Sequence, residues 1–216
     1  MLQFERQAWD SGALRLAGVD EAGRGPLAGP VVAVALVFDR AYLEAEQYGC
    51  LQTINDSKSL SPAQRDASYA LLAGGACPCE IGIGTADVAE IDSLNILRAT
   101  HLAMARALNA LGSLPELALV DGLPVPGLPC RSQAIVGGDG RSLSIAAASI
   151  IAKVTRDRMM RELDSLYPGY DFARHKGYGT RVHMEALLRL GPCPAHRRSF
   201  RPVQEALRLR AGAAGT

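Results

Sequence analysis

Hydrophobic positions along the chain fall into two kinds of segment. Leu14 to Val19 and Val31 to Phe38 are short, mainly apolar stretches, the second rich in valine, and both predict strands. Glu80 to Thr85, Leu117 to Val120 and Gln133 to Val136 predict three more. Helical spacing takes over elsewhere. Ser61-Pro62-Ala63-Gln64 places a serine N-cap, a proline at the first helical position and a glutamine suited to a capping box. From Ser93 to Leu111, apolar residues recur at Leu94, Leu97, Leu102, Ala105 and Leu108, which predicts one amphipathic helix. Ser144 to Tyr167 reads as a long helix, apolar in its first half and charged in its second, so its start is expected buried and its end exposed. Thr180 to Leu190 predicts a further helix. This alternation implies an α/β fold around one mixed sheet of about five strands, antiparallel among the first strands and parallel among the later ones.

Polar residues enter this pattern where they carry chemistry. Leu16-Ala17-Gly18-Val19 runs into Asp20-Glu21, and Leu117-Ala118-Leu119-Val120 runs into Asp121-Gly122. A third acid, Asp139, sits in Gly137-Gly138-Asp139-Gly140, just before the long helix. One Asp-Gly is an ordinary turn. Several buried strands ending in acids are not explained by turns, because no structural rule requires them to end in charge. Carboxylates that converge repel one another, and a divalent cation relieves the repulsion. Hard oxygen ligands suit Mg²⁺ or Mn²⁺ rather than zinc, and three or four can hold two ions about 3.5–4 Å apart for in-line phosphodiester displacement. Neighbours on a strand face opposite ways, so Asp20 and Glu21 share a site only if the strand ends or twists there. Gly23-Arg24-Gly25 follows at once and allows close approach of backbone to a ligand.

Composition narrows the setting. The 216 residues are 48% hydrophobic but only 5% aromatic, so a core is available and is built mainly from aliphatic side chains. No apolar run approaches a membrane span, and the first residues do not resemble a signal peptide. Five cysteines without framework spacing point to a reduced, cytoplasmic chain, and Cys77-Pro78-Cys79 with Cys193 and His196 does not meet structural zinc spacings.

Gly18-Val19-Asp20-Glu21-Ala22-Gly23-Arg24-Gly25-Pro26-Leu27-Ala28-Gly29-Pro30 resembles the opening motif of the ribonuclease HII (type 2 ribonuclease H) family. Further segments resemble that family in its own order. They are Asn55-Asp56-Ser57-Lys58-Ser59-Leu60, Ile91 to Leu97, Val120-Asp121-Gly122, Gly138-Asp139, Ser144 to Asp157, His175 to Thr180 and His196 to Phe200. The resemblance implies an RNase H-like fold with a catalytic core over 12–190, a helical C-terminal segment and mobile tail over 191–216, and one domain over 1–216. It implies cleavage of RNA in RNA–DNA hybrids and incision 5′ of single ribonucleotides in duplex DNA. By position, Asp20, Glu21, Asp121 and Asp139 are the implied metal-binding catalytic acids, with Mg²⁺ or Mn²⁺ as cofactor in a two-metal site. Gly23, Arg24 and Gly25 match the segment that contacts the ribose 2′-OH. Tyr178 matches the residue that packs on the next deoxyribose. Lys58, following Asp56-Ser57, is read either as a phosphate contact or as a solvated loop lysine. Departures are small: Cys193 replaces a small hydroxyl residue, and Leu123 an asparagine.

Two other readings of the polar residues compete with this resemblance. A binding module without catalysis gains nothing from four converging acids. Another metal nuclease or transferase of the same fold leaves Gly-Arg-Gly and Tyr178 unexplained. His183 and His196 are expected to be structural or duplex-facing, Met159-Met160 to pack, and Lys153 and Arg156 to touch the strand or pair with neighbours such as Asp157. The expected partners are the hybrid and the ribonucleotide-containing duplex, with no membrane, a monomeric chain and no readable protein partner. Net charge of +1 argues at first against nucleic acid, but it hides a split. Residues 1–152 hold 10 basic against 16 acidic residues, whereas 153–216 hold 13 against 6. The basic C-terminal quarter suits a phosphate backbone.

Overall fold

The computed structural model describes residues 1–46, 51, 54 and 60–213. They form two compact units: Met1–Ala22 with Val32–Thr85 and His101–Val154, and Gly23–Val31 with Ala86–Thr100 and Thr155–Thr216. The segment containing Lys58, residues 55–59, lies outside the described residues, as do Cys50 and the last three residues of the expected tail.

Five strands carry the first unit: β1 (Leu16–Ala22), β2 (Val31–Phe38), β3 (Cys79–Ala86), β4 (Leu117–Asp121) and β5 (Arg131–Ile135), in sheet order β3-β2-β1-β4-β5. β1 pairs antiparallel with β2, setting Asp20 opposite Val34. It pairs parallel with β4, setting Val19 opposite Val120, and β4 pairs parallel with β5. The expected division therefore holds for the β1–β2, β1–β4 and β4–β5 pairs. All eight residues of β2 are buried, which is why that strand shows no polar alternation.

Nine helices are described: α1 (Gln3–Asp10), α2 (Arg40–Glu46), α3 (Pro62–Ala73), α4 (Val88–Leu94), α5 (Ile96–Asn109), α6 (Leu143–Leu166), α7 (Phe172–His175), α8 (Arg181–Leu190) and α9 (Arg201–Ala213). The capping box of α3 forms, with Gln64 N donating to Ser61 Oγ and Ser61 N to Gln64 Oε1. The helix expected over Ser93 to Leu111 is two helices. Asn95 takes φ 70°, which ends α4, and its side-chain oxygen accepts from the N–H groups of Leu97 and Arg98, which starts α5. Asparagine tolerates that φ and competes well for backbone donors, so it breaks a run whose apolar spacing alone reads as continuous.

Two contacts fix the start of α6. Gly18 lies so close that a β-carbon there would stand 2.1 Å from the backbone carbon of Ser144. Glu5 on α1 is fully buried, and its Oε1 accepts from Ser142 Oγ (2.6 Å) and Ser144 N (3.0 Å). A carboxylate at a helix N-terminus satisfies donors that the helix cannot. Ser142 N in turn donates to Gly138 O, so the same contact holds the turn Gly138–Gly140 that carries Asp139. As expected, the first half of α6 is buried and its last turns are exposed.

The second unit packs small clusters rather than a sheet. Met160, Tyr170, Phe172 and Cys193 form one, with Tyr170 and Phe172 stacked at 5.2 Å; Leu27, Leu187 and Val203 form another. Met160 is wholly buried, as packing requires. Among the described residues no helix is long and apolar enough to cross a membrane.

Gly18→Ala should destabilise the fold by about 2 kcal/mol or more, because a methyl there collides with backbone rather than with a movable side chain. Chemical denaturation of the variant beside the wild type measures this, and an unchanged midpoint contradicts the close approach.

Candidate active site

β1 and β4 are parallel neighbours, so pairing Val19 with Val120 brings the acids that follow them, Asp20 and Asp121, to the same end of adjacent strands. Asp20 is 6% exposed. Burial raises its pKa well above the usual carboxylate range, and the negative charges of Glu21 and Asp121 raise it further. Two donors oppose this. Glu21 N donates to Asp20 Oδ1 at 2.7 Å, and Ser149 of α6 supplies a side-chain hydrogen bond. Asp121 is anchored by Gly138 N at 2.6 Å, which ties it to the turn bearing the buried Asp139. Strand pairing extends to Ala22, beyond both acids of β1, and Glu21 is only half-buried where Asp20 is buried. Asp20 and Glu21 nonetheless remain close enough to repel.

Oxygen-only donors with desolvated like charges are the donor chemistry of a hard divalent cation. The acids are not drawn into a closed cage: among the described residues no group of three or more His, Cys, Asp and Glu is arranged to hold a metal ion. What the first unit supplies is Asp20 in electrostatic contact with Glu21 and Asp121, and Asp121 joined through backbone to the Asp139 turn.

Gly23, Arg24 and Gly25 belong to the second unit, together with Tyr178. Here the two segments expected to touch substrate are knitted together. Leu27 N donates to Gly177 O at 2.8 Å, and a β-carbon on Gly25 would meet Tyr178 Cε1 at 3.6 Å. Arg24, Gly25 and Tyr178 are exposed. Gly23 has φ 97°, and a side chain there would overlap the Arg156 guanidinium.

Arg156 and Arg197 support this loop, and neither role is visible from sequence spacing. Both are buried. Arg156 donates to the carbonyls of Pro30, Lys176 and Ala28, so this basic residue of α6 serves backbone inside the unit. Arg197 donates to Gly29, Arg24, Pro26, Gly23 and Pro30. Burial, then the charge of Arg156, pulls its pKa down to about 9.

His183 and His196 are structural, as expected of buried imidazoles. His183 Nδ1 lies 2.9 Å from Tyr178 O, its Nε2 lies 3.0 Å from His196 Nε2, and Cys193 N donates to His196 Nδ1. One assignment satisfies every contact: both rings neutral, His183 donating through Nδ1 and His196 through Nε2. Burial lowers both pKa values, that of His196 to about 4 with the His183 ring adding to the effect.

A mixed five-stranded sheet in this order, flanked by helices and carrying Asp20 and Asp121 on neighbouring parallel strands, is an RNase H-like fold. The comparisons with known proteins carry this to a family. The family model for ribonuclease HII matches residues 17–203. The chain is 52% identical over 209 residues to ribonuclease HII of Geobacillus kaustophilus, covering 96% of this chain and 76% of the relative. It is 53% identical over 206 residues to that of Geobacter sulfurreducens, covering 94% and 90%. The crystal structure of ribonuclease H2 from Pyrococcus horikoshii superposes with a TM-score of 0.74 at 28% identity, covering 91% of this chain and 99% of that one. The chain belongs to the ribonuclease HII family, and with it to the endoribonucleases that act on RNA–DNA hybrids.

The histidine pair predicts a pH dependence. A histidine held neutral in the folded chain contributes stability that is full above its unfolded pKa near 6.5 and is lost as pH falls toward the folded value of about 4. For His196 the loss across that window is up to about 3 kcal/mol. Denaturation midpoints from pH 7 to 4.5 should fall steeply in the wild type and less steeply in His196→Gln, and parallel profiles count against the assignment.

Proposed function

We propose that this chain is a divalent-metal-dependent endoribonuclease that hydrolyses the RNA strand of RNA–DNA hybrids. It also incises on the 5′ side of single ribonucleotides in duplex DNA, leaving 5′-phosphate and 3′-OH ends. Asp20, Glu21, Asp121 and Asp139 hold the metal, Mg²⁺ or Mn²⁺. The observation that carries the reading is the desolvation of Asp20 against two like charges, an arrangement that opposes ionisation unless a cation is bound. Bound by these oxygens, such an ion would lower the pKa of a coordinated water and offset charge at the scissile phosphate.

The chain's own residues do the rest by holding groups in place. Glu21 N–H and Ser149 orient Asp20, and Gly138 N–H orients Asp121, so each carboxylate has an oxygen fixed before substrate arrives. Gly23, Arg24 and Gly25 read the 2′-OH, Tyr178 packs on the following deoxyribose, and Lys58 meets a phosphate. Reading the hydroxyl, rather than using it as nucleophile, gives 3′-OH products. A site built to hydrogen-bond a hydroxyl rejects the sugar that lacks it, because its polar groups are left unpaired.

Cleavage of a duplex containing one ribonucleotide, beside its all-deoxy control, tests this with Mg²⁺ or Mn²⁺ present. The control should be cut at least roughly a thousandfold more slowly. Equal cutting, activity in excess chelator or 2′,3′-cyclic phosphate ends would overturn the reading. Asp121→Asn should abolish cleavage while leaving duplex binding in place.

A further inference from the structure

Arg197 stands in the sequence among basic residues that suit a phosphate backbone, yet its guanidinium is 0% exposed. A guanidinium carries five N–H groups in a rigid planar fork. Each of the five has an acceptor here, and every acceptor is a carbonyl of the Gly23–Pro30 loop. Nε donates to Gly29 O (3.0 Å). Nη1 donates to Arg24 O (2.9 Å) and Pro26 O (2.7 Å). Nη2 donates to Gly23 O (2.6 Å) and Pro30 O (3.3 Å). The ring of Phe200 lies 5.1 Å from the guanidinium carbon. Arg197 N closes the arrangement by donating to Leu27 O at 2.9 Å.

We infer that Arg197 is a positioning residue for ribose recognition, the internal template on which the Gly23-Arg24-Gly25 segment takes its shape. The inference rests on the reading that this segment contacts the 2′-OH. Its physical basis is directional. The loop's outside backbone partners meet only Leu27, Ala28 and Gly29, and its glycines leave the stretch from Gly23 to Gly25 many accessible paths. Carbonyls collected on one buried cation fix one path, because the planar fork admits acceptors in one plane only. The carbonyls of Gly23 and Arg24, two of the three residues assigned to the hydroxyl, are both among the five. Arg156 extends the template, since it binds the carbonyls of Ala28 and Pro30 and also that of Lys176, two residues before Tyr178. The segments that read ribose and deoxyribose are thus shaped by neighbouring guanidiniums that never touch either sugar.

Lysine keeps the charge but offers three donors from a single atom, and it cannot span five carbonyls. The test compares the full chain with its Arg197→Lys variant, both carrying Asp121→Asn to block cleavage. Affinities are measured for a duplex with one ribonucleotide and for the same duplex in all-deoxy form. Arg197→Lys should lower the preference for the ribonucleotide duplex about tenfold or more, with all-deoxy affinity within about threefold of the parent. In the cleaving enzyme, KM for the ribonucleotide duplex should rise by a larger factor than kcat falls. An undiminished preference overturns the inference and leaves the 2′-OH reading intact. A parallel loss of affinity for both duplexes also overturns it, since Arg197 then only maintains the fold. A parent that shows no preference overturns the 2′-OH reading itself, and the inference with it. Should Arg197→Lys fail to fold, Arg156→Lys carries the same comparison, with a smaller drop in preference expected and an undiminished preference again overturning the inference.

Discussion

Charge on a buried carboxylate is the constraint around which the first unit is arranged. Asp20 lies on the central strand, between β2 and β4, where water cannot stabilise its ionised form. Glu21 and Asp121 make ionisation harder still. The surrounding backbone answers with donors. Gly18 and Asp20 lie on one face of β1, about 6.6 Å apart. Ser144 and Ser149 are separated by about 7.5 Å along α6. The missing side chain at Gly18 lets Ser144 approach the strand, and the same alignment brings Ser149 to Asp20 one step further on. A glycine inside a strand, a local weakness by propensity, thereby provides the hydrogen bond that the buried acid needs.

The second unit solves the opposite problem. Two arginines are buried there, and burial depresses the pKa of each. Carbonyl dipoles accept their N–H groups, so the cost of desolvation is met by carbonyls of the Gly23–Pro30 loop and of Lys176. Satisfaction runs both ways: the guanidiniums keep their hydrogen bonds, and the loop keeps one conformation. The neutral histidine pair behind Tyr178 works by the same logic, with each ring nitrogen assigned by the donor or acceptor it faces.

Much of this was legible in the residues. The change from apolar to acidic residues marks Asp20 and Asp121, a glycine-rich turn before a long helix marks Asp139, and apolar runs give all five strands near their observed limits, although β1 continues through Asp20 and Glu21 to Ala22. Other features depend on partners far away in the chain. Nothing near Arg197 distinguishes it from Arg198 beside it, yet one is buried and the other exposed; its acceptors lie more than 160 residues earlier. Glu5 reads from sequence only as an early acid near the N-terminus, and the start of α6 makes it a buried cap. Asn95 carries a local signal, a helix-capping side chain, but the apolar spacing across it outweighs that signal when periodicity alone is read.

The burial of Arg156 and Arg197 also changes what the basic C-terminal quarter means. A residue count treats every arginine there as facing solvent. Two face inward, and Arg181 and Arg201 each bond a glutamate one turn along their helices. Exposed pairs of this kind are weak and screened by salt, so they hold those side chains only loosely. Inward charges still act at a distance, because the low-dielectric interior screens them poorly. They raise the potential of the Gly23–Pro30 loop without offering a donor to a phosphate. Their guanidiniums are taken up by the carbonyls of Ala28, Lys176 and the Gly23–Pro30 loop, so what they supply is the path of the backbone. Under the proposed function, general attraction falls to the exposed arginines and shape to the buried ones.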